Sequence, residues 1–413
     1  MISTLRGMRD IYGEDSVLFR RIEDAARKVF SKYGFDEIKI PVMERTELFS
    51  RGIGGDTDIV SKEMYTFLDR KNRSVTLRPE GTAGVVRHYI EKGMDKNDAV
   101  KRYFYSGPMF RYERPQKGRF RQFYQIGVEA FGESSFLLDA EVIIMLTEFF
   151  AGLGMDDVSV SLNNIGCPAC RPAYDRLLKD YFMSRRDELC PDCAGRIEKN
   201  PLRILDCKKD SCAPVIAGAP LISDHLCGEC RDFSAGLLSL LKGAGVNHSL
   251  DTRLVRGLDY YTRTVFEIYS RELGAQNAIM GGGRYDGLVG ELGGRDVPGF
   301  GFALGVDRIV DMLKEREGGQ QSPPSGVFIV WNTDAPEELL AAAAMIRRCG
   351  IRAEMFADRR SVKSQMRYAD KKGYRYVVFL GDEEIGSEEL HIKDLRNGAE
   401  FYSRPENLTD IIN

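Results

Sequence analysis

The segment Arg256-Gly257-Leu258-Asp259-Tyr260-Tyr261-Thr262-Arg263-Thr264 places a cation, a carboxylate and two phenols in one short stretch framed by turn residues. Arginine is always charged and binds phosphate or carboxylate oxygens through a planar fork, so the stretch is suited to a polar or anionic ligand. A structural turn closed by a salt-bridged arginine has the same composition. Three further segments argue for the ligand: TLRPEGTAG (76–84), FRYERPQKGRFRQFYQIGVEAFG (110–132) and GFGFALGVDRI (299–309). The second sets Arg111 and Glu113 before a loop with cations at Arg114, Lys117 and Arg119, then returns through Phe123, Gln125 and Glu129. The third carries Arg308 just past Gly305, where a strand pattern turns into a helical one.

A separate chemistry is written in the cysteines. Eight of the nine lie between 167 and 230, as Cys167-Pro-Ala-Cys170, Cys190-Pro-Asp-Cys193, Cys207 with Cys212, and Cys227-Gly-Glu-Cys230. Three pairs have the two-residue spacing that lets both thiolates face one tetrahedral ion, and four pairs are the number required for two Cys₄ sites of the structural Zn²⁺ type. How the pairs combine is not readable from spacing, and reduced thiols packed as small hydrophobes, with His225 a bystander, are the alternative.

Several elements must position these residues. From Asp15 to Tyr33, apolar residues at Leu18, Ile22, Ala25, Ala26, Val29 and Phe30 mark one buried helical face, ended by Gly34. FDEIKIPVMERTELF follows, with Ile38 and Ile40 alternating as in a strand and Pro41 restricting it to an edge or interface. KRYFYSGPMFRYE and FRQFYQIGVEAF flank the loop RPQKGR as an antiparallel hairpin, with Arg111 and Glu113 on the same strand face. No P-loop and no GxGxxG pattern occurs, so the body is expected to be a mainly antiparallel sheet with helices.

At 413 residues the chain exceeds one ordinary core, and we expect a catalytic body at 1–162 and 246–316, a Cys-rich insertion of thin apolar content at 163–245, a linker at 317–325 and a further domain at 326–413. In the last, VFIVWN, IRAEMFAD and YRYVVFLG read as strands separated by two helices, which implies a small, largely parallel α/β sheet. A formal charge of -3 gives no global basic signal, so any nucleic acid must be held by local patches such as Arg359, Arg360, Lys363 and Arg367, with Lys371 and Lys372 behind. The apolar run VIIML (142–146) is too short for a bilayer and MISTLRGMRD has no apolar signal core, so a cytoplasmic protein without membrane contact is expected.

In content and order the four segments resemble the active-site motifs of the histidyl-tRNA synthetases, bacterial-type members of the class II aminoacyl-tRNA synthetases, and the resemblance covers nearly the whole chain. It implies a homodimeric histidine-tRNA ligase that joins L-histidine to ATP, with Mg²⁺, and transfers the amino acid to tRNA(His), with 326–413 as an anticodon-binding domain. Pro41 matches the proline of the dimer-forming motif. Arg111 matches the arginine at the α-phosphate, Glu113 the acceptor of the adenine amino group, and Phe123 the ring beneath adenine. Arg308 matches the arginine over the other adenine face, and Arg119 belongs with the ATP set. Arg256 would reach the α-phosphate from the side opposite Arg111. Glu80 and Thr82 with Gln125 would face the substrate ammonium and Glu129 with Tyr261 the imidazole, with Tyr260 lining the pocket beside them and Gly81 in the same histidine-binding set. Arg114 and Gln116 would meet the tRNA acceptor end. The chain departs from the pattern at IYGED (11–15) and in the extra glycine of GGGRYDG (281–287), neither of which is expected to touch a residue with a chemical role.

Two readings of other classes compete. A catalytically inactive paralogue serving as a regulatory subunit of a phosphoribosyltransferase would be expected to lose part of the RGLDYYT segment, the motif arginines and the C-terminal domain, all of which this chain keeps. A zinc-dependent nucleic-acid-binding module would explain the cysteines but leave Arg111, Arg256 and Arg308 without purpose.

Overall fold

The helix expected after Asp15 forms over Glu14–Lys32 and buries Leu18, Phe19, Ile22, Ala26, Val29 and Phe30 along one face; Gly34 follows at φ +77°, where only glycine is unstrained. The structure is a computed structural model that describes residues 2–54, 57–97, 100–114, 118–270, 278–318, 326–385 and 387–412. The chain divides between residues 318 and 319 into two units.

The strands of the first unit are β1 (Asp36–Glu37), β2 (Met43–Arg45), β3 (Tyr65–Leu68), β4 (Ser74–Leu77), β5 (Lys101–Phe110), β6 (Gln122–Phe131), β7 (Val158–Asn164), β8 (His248–Leu250), β9 (Thr262–Ser270), β10 (Ala278–Arg284) and β11 (Gly299–Gly305). Eight of them form one sheet in the order β1-β5-β6-β11-β10-β9-β7-β8, and β2-β4-β3 form a small separate sheet. All pairings in the large sheet are antiparallel except β1 with β5 and β7 with β8. The hairpin β5–β6 is in the register Lys101↔Phe131 to Phe110↔Gln122.

Because strand side chains alternate, the two faces of this sheet differ. Phe104, Ile126, Val128, Phe302 and Leu304 pack with the helices Glu14–Lys32, Phe136–Gly152 and Val306–Arg316 in one core. The other face carries Tyr105, Gln125, Glu129 and Glu267. There one row runs Tyr105, Gly127, Ala303, Gly281, Glu267 across five strands, and the next runs Glu129, Gly301, Gly283, Val265. Small residues in mid-row leave a recessed floor between larger polar ones.

Three expectations are corrected. The strand read through Ile38 and Ile40 is instead two short strands, β1 and β2, with residues 38–42 irregular between them, although Ile38 N still donates to Phe104 O at 2.8 Å. Strand β5 stops at Phe110, so Arg111 and Glu113 are not on a strand face; Glu113 N turns back onto Arg111 O at 2.8 Å. The insertion is not thin in apolar content. Tyr174, Leu178, Phe182, Ile197 and Ile204 are buried in one cluster with Tyr260 and Tyr261, and Leu237 and Leu241 of its last helix, Gly228–Gly243, join the core on the opposite face.

The second unit holds β12 (Val327–Asn332), β13 (Ala353–Glu354), β14 (Tyr376–Gly381), β15 (Leu390–Asp394) and β16 (Glu400–Ser403) in the order β13-β12-β14-β15-β16. The first three are parallel, with helices Pro336–Arg348 and Val362–Lys372 in the crossovers; β15 and β16 add antiparallel strands that the sequence reading missed. Arg359, Arg360, Lys363, Arg367, Lys371 and Lys372 are exposed, Arg359 in an ion pair with Asp334 and Arg360 over the Phe356 ring at 3.8 Å. Among the described residues no helix is long and apolar enough to cross a membrane.

Candidate active site

A cavity of about 500 Å³ opens on the polar face of the large sheet. Arg111, Glu113, Arg119, Phe123, Gln125, Arg256 and Arg308 all line it, so segments distant in the sequence meet there. Arg111 is held from three directions: its Nε donates to Pro79 O at 2.9 Å, its guanidinium lies 5.3 Å from the Phe123 ring centre, and Glu113 is 3.9 Å away. Glu113 also faces Arg119 at 3.7 Å. Arg308 stands in the first turn of the helix Val306–Arg316 and donates to Ala278 O across the sheet. Burial, and then the facing Arg119, disfavour its charge, an electrostatic deficit that a bound anion relieves.

Arg256 is paired with Glu267 of β9, which also accepts from Tyr269. Its guanidinium rests on Gly281, where a Cβ would stand 2.3 Å from Arg256 Cζ. The additional glycine of the GGGRYDG segment therefore does touch a residue with a proposed chemical role, contrary to the expectation from sequence. Two buried polar atoms on this cavity have no hydrogen-bond partner, Arg256 Nε and Gln125 Oε1. Unspent donors and acceptors in a cavity are costly unless a ligand or water uses them.

Beside the cavity lies a closed polar cluster. Glu129 is fully buried, accepting from Thr82 Oγ1 at 2.7 Å, from the Tyr105 hydroxyl at 3.4 Å and from the Tyr285 hydroxyl at 2.5 Å. Burial pushes its carboxyl up to about 8, with the hydroxyl donors opposing and Glu80 adding to the rise. Glu80 is held at the start of the helix Thr82–Glu91, accepting from Thr82 N at 2.7 Å and Ala83 N at 2.9 Å, and burial raises its carboxyl too. Tyr260 and Tyr261 are buried with ring centres 4.8 Å apart, and Tyr260 meets the edge of Tyr285 at 5.7 Å. A Cβ at Gly301 would stand 2.2 Å from Glu129 Oε2 and 2.3 Å from Val128 O, so glycine is what admits the carboxylate. Gly81 admits Tyr105 in the same way, its Cβ position falling 2.3 Å from the ring.

Sequence reasoning missed Tyr105, Tyr285 and Glu267, and also Glu63, which lines the cavity and whose carboxyl is raised by burial and by Glu113. The strand alternation from Phe123 through Gln125 to Glu129 could have singled out Tyr105 once the hairpin register was assumed. It missed Arg203, Asp206 and Lys208 as well, which reach the cavity wall from the Cys-rich insertion. Arg114 is exposed, and Gln116 lies outside the described residues.

The cysteines assemble as two quartets, Cys167, Cys170, Cys227 and Cys230, and Cys190, Cys193, Cys207 and Cys212, each with its sulfurs within 4.8 Å of one another. Thiolates bound at about 2.3 Å to a tetrahedral zinc ion stand ~3.8 Å apart. The Cys167–Cys170, Cys167–Cys227 and Cys190–Cys207 separations are 3.6, 3.9 and 4.0 Å. Backbone amides turn toward the sulfurs, Cys227 N to Cys170 Sγ and Cys190 N to Cys212 Sγ, both at 3.2 Å. Such donors stabilise thiolates. His225 belongs to neither group.

An antiparallel sheet of this topology, with its hairpin and glycine-to-helix turn presenting arginines to one cavity, is the catalytic fold of the class II aminoacyl-tRNA synthetases. Residues 7–169 and 222–309 match the family model described as Histidyl-tRNA synthetase, and residues 326–413 match that of an anticodon binding domain. The chain belongs to the histidyl-tRNA synthetase family. It is 48% identical over 409 residues to the histidine-tRNA ligase of Halothermothrix orenii, covering 98% of this chain and 97% of that one. It is 47% identical over 400 residues to that of Solidesulfovibrio magneticus, covering 97% and 94%. The apo histidyl-tRNA synthetase of S. aureus superposes with a TM-score of 0.81 at 34% identity, each chain covered in full.

Proposed function

We propose that the protein is a cytoplasmic, homodimeric histidine-tRNA ligase that activates L-histidine with ATP and passes it to tRNA(His). The observation that carries this reading is the adjacency of an arginine-lined cavity and a buried tyrosine and carboxylate cluster on one sheet face. In the first step a histidine carboxylate oxygen attacks the α-phosphorus of ATP, the bond to pyrophosphate breaks, and histidyl-adenylate forms. Arg111 and Arg256 hold the α-phosphate from opposite sides and offset the charge that builds there. Phe123 and Arg308 sandwich the adenine, Glu113 accepts from its amino group, and Arg119 and Arg308 reach the outer phosphates. Mg²⁺ supplies charge neutralisation on the phosphates when bound.

Gln125 Oε1, the unpartnered acceptor, takes the substrate ammonium, with Glu80, Gly81 and Thr82 behind it. The imidazole lies against Glu129, Tyr260 and Tyr261. Glu129 retains its proton up to about pH 8. A ring nitrogen facing it can take that proton, giving an imidazolium-carboxylate pair that no neutral side chain of the same size makes. Buried partners left unpaired by a wrong amino acid give discrimination without editing.

On the same reading, residues 1–162 and 246–316 are the catalytic body, 163–245 the insertion, 317–325 the linker and 326–413 the module that meets the anticodon, its exposed cations serving phosphate contacts. Arg114 and Gln116 meet the acceptor end. Exposed Val42 and Met43 beside Pro41 suit burial against a second copy. The quartets suit structural Zn²⁺, and metal analysis of protein purified without chelator should find two equivalents. Histidine-dependent exchange of pyrophosphate into ATP tests the activity, and equal exchange with several other amino acids would sink the pocket assignment.

A further inference from the structure

The two quartets are not equivalent in position. In the second, Cys207 lies between Asp206 and Lys208, both of which line the cavity. Cys193 precedes and Cys207 closes the stretch that carries Asn200 and Arg203. Arg203 Nη1 donates to the backbone carbonyl of Arg256 at 3.1 Å, and Asn200 Nδ2 donates to Asp259 Oδ1 at 2.9 Å. The Arg203 side chain is only 11% exposed, and Leu202, Ile204 and Leu205 around it are buried. The stretch itself is a short 3₁₀ segment, Pro201–Asp206, capped by Asn200. A 3₁₀ turn is held by poorer hydrogen-bond geometry than an α-helix, so what holds its ends bears on where Arg203 stands. No cysteine of either quartet lines the cavity itself, and none in the first quartet has a chain neighbour that does.

We propose that Arg203 is a positioning residue for Arg256, and that a zinc ion in the Cys190, Cys193, Cys207 and Cys212 quartet sets its place, so that the insertion governs amino-acid activation. This rests on the assignment of Arg256 to the α-phosphate. Metal bound at Cys207 fixes the chain between Asp206 and Lys208. The guanidinium of Arg203 then holds the Arg256 carbonyl, and the Arg256 side chain lies on Gly281 with Nε free for the substrate. Removing the metal loosens the turn 254–259 and with it Arg256, while leaving the chemical identity of every substrate-facing group unchanged.

The test uses full-length, metal-loaded protein and three measurements: zinc per chain, hydrogen exchange of the backbone amides 254–259, and the pre-steady-state rate of adenylate formation. Losing one charge-assisted hydrogen bond of this kind is worth about tenfold. Arg203→Met should keep both zinc equivalents, speed exchange at 254–259, and lower the rate constant about tenfold. The KM values for histidine and ATP should change much less, and Arg203→Lys should recover part of the rate. Cys207→Ser should lose one zinc equivalent and produce the same exchange and rate changes. If the two act through one contact, the double variant is no worse than Cys207→Ser alone.

Overturning results are an Arg203→Met protein with the wild-type rate constant, or loss of one zinc equivalent from Cys207→Ser with 254–259 still protected. Additive losses in the double variant would equally reject the coupling. The exchange and zinc measurements do not depend on the amino acid activated. A wild-type protein that fails to activate histidine therefore defeats the functional reading, and leaves the contact between the quartet and the Arg256 turn to be judged by exchange alone.

Discussion

On the proposed assignment, the two halves of the site solve opposite problems with the same sheet. Over the recessed row of Gly127, Ala303 and Gly281 the cavity stays open, and its arginines are held by backbone carbonyls and partly spent carboxylates. The phosphates of ATP stay charged across the physiological pH range, so fixed cations with unspent donors suffice. In the row of Glu129, Gly301 and Gly283 the polar groups are buried and donate to one another. An imidazole is distinguished by where its proton sits. That half depends on desolvation, which moves the Glu129 carboxyl to about 8. Affinity for charge tolerates water, whereas discrimination between neutral rings does not.

The comparison is broken most severely by removing the buried carboxyl. Glu129→Ala should lower kcat/KM for histidine by about 10⁴, because the Thr82, Tyr105 and Tyr285 hydroxyls are left facing an apolar gap. Steady-state exchange at varied histidine measures this, and a loss confined to ATP binding would contradict the division between the halves.

On the open side, Arg256→Met should reduce the adenylation rate constant by about 10² to 10³, the scale for deleting one preorganised charge-stabilising donor. Rapid-quench kinetics should place the loss in the rate constant, and wild-type turnover with weakened histidine binding would count against the α-phosphate role.

A stability measurement sharpens the contrast without substrate. The Glu129 carboxyl is raised to about 8 in the fold from an ordinary 4.5, so between those values the native state holds more protons than the unfolded chain. Its contribution is fully present below pH 4.5 and declines as pH rises toward 8. Glu129→Gln cannot ionise, so its melting temperature relative to wild type should climb across that window and level off above it. A constant difference at all pH values would show that Glu129 titrates in the fold as it does in the unfolded chain, and would remove the desolvated carboxyl from the comparison.

The smallest effect on either half is expected from removing residues 319–413, because the first unit holds every residue of the site. Histidine-dependent exchange should stay within about threefold of the full chain, as befits a separately folded unit, while tRNA charging falls. Truncated protein, folded and dimeric, that charges tRNA as well as the full chain would remove the C-terminal unit from tRNA recognition.

Much of this was legible in the residues. The period-two pattern of β6 puts Gln125 and Glu129 opposite the buried Ile126 and Val128, and the turn at Gly305 places Arg308 at a helix start. The two-residue cysteine spacings announce pairs whose sulfurs lie close together. Local conformation and side-chain alternation are properties of neighbouring residues, so they survive reading along the chain.

What only the tertiary structure decided are the contacts between segments far apart in sequence. Tyr105 and Tyr285 come from different strands to hold Glu129, and Glu267 comes from β9 to hold Arg256. The extra glycine at 281 looked inconsequential until Arg256 was found resting on it. The cysteines combine as first with last pair and the two between, an arrangement that spacing leaves undetermined. Arg203, an ordinary basic residue in an apolar stretch, becomes part of the site because the insertion folds back on the Arg256 turn. Each of these depends on strand register and on the return path of a long connection, which many distant contacts select together and no local pattern encodes.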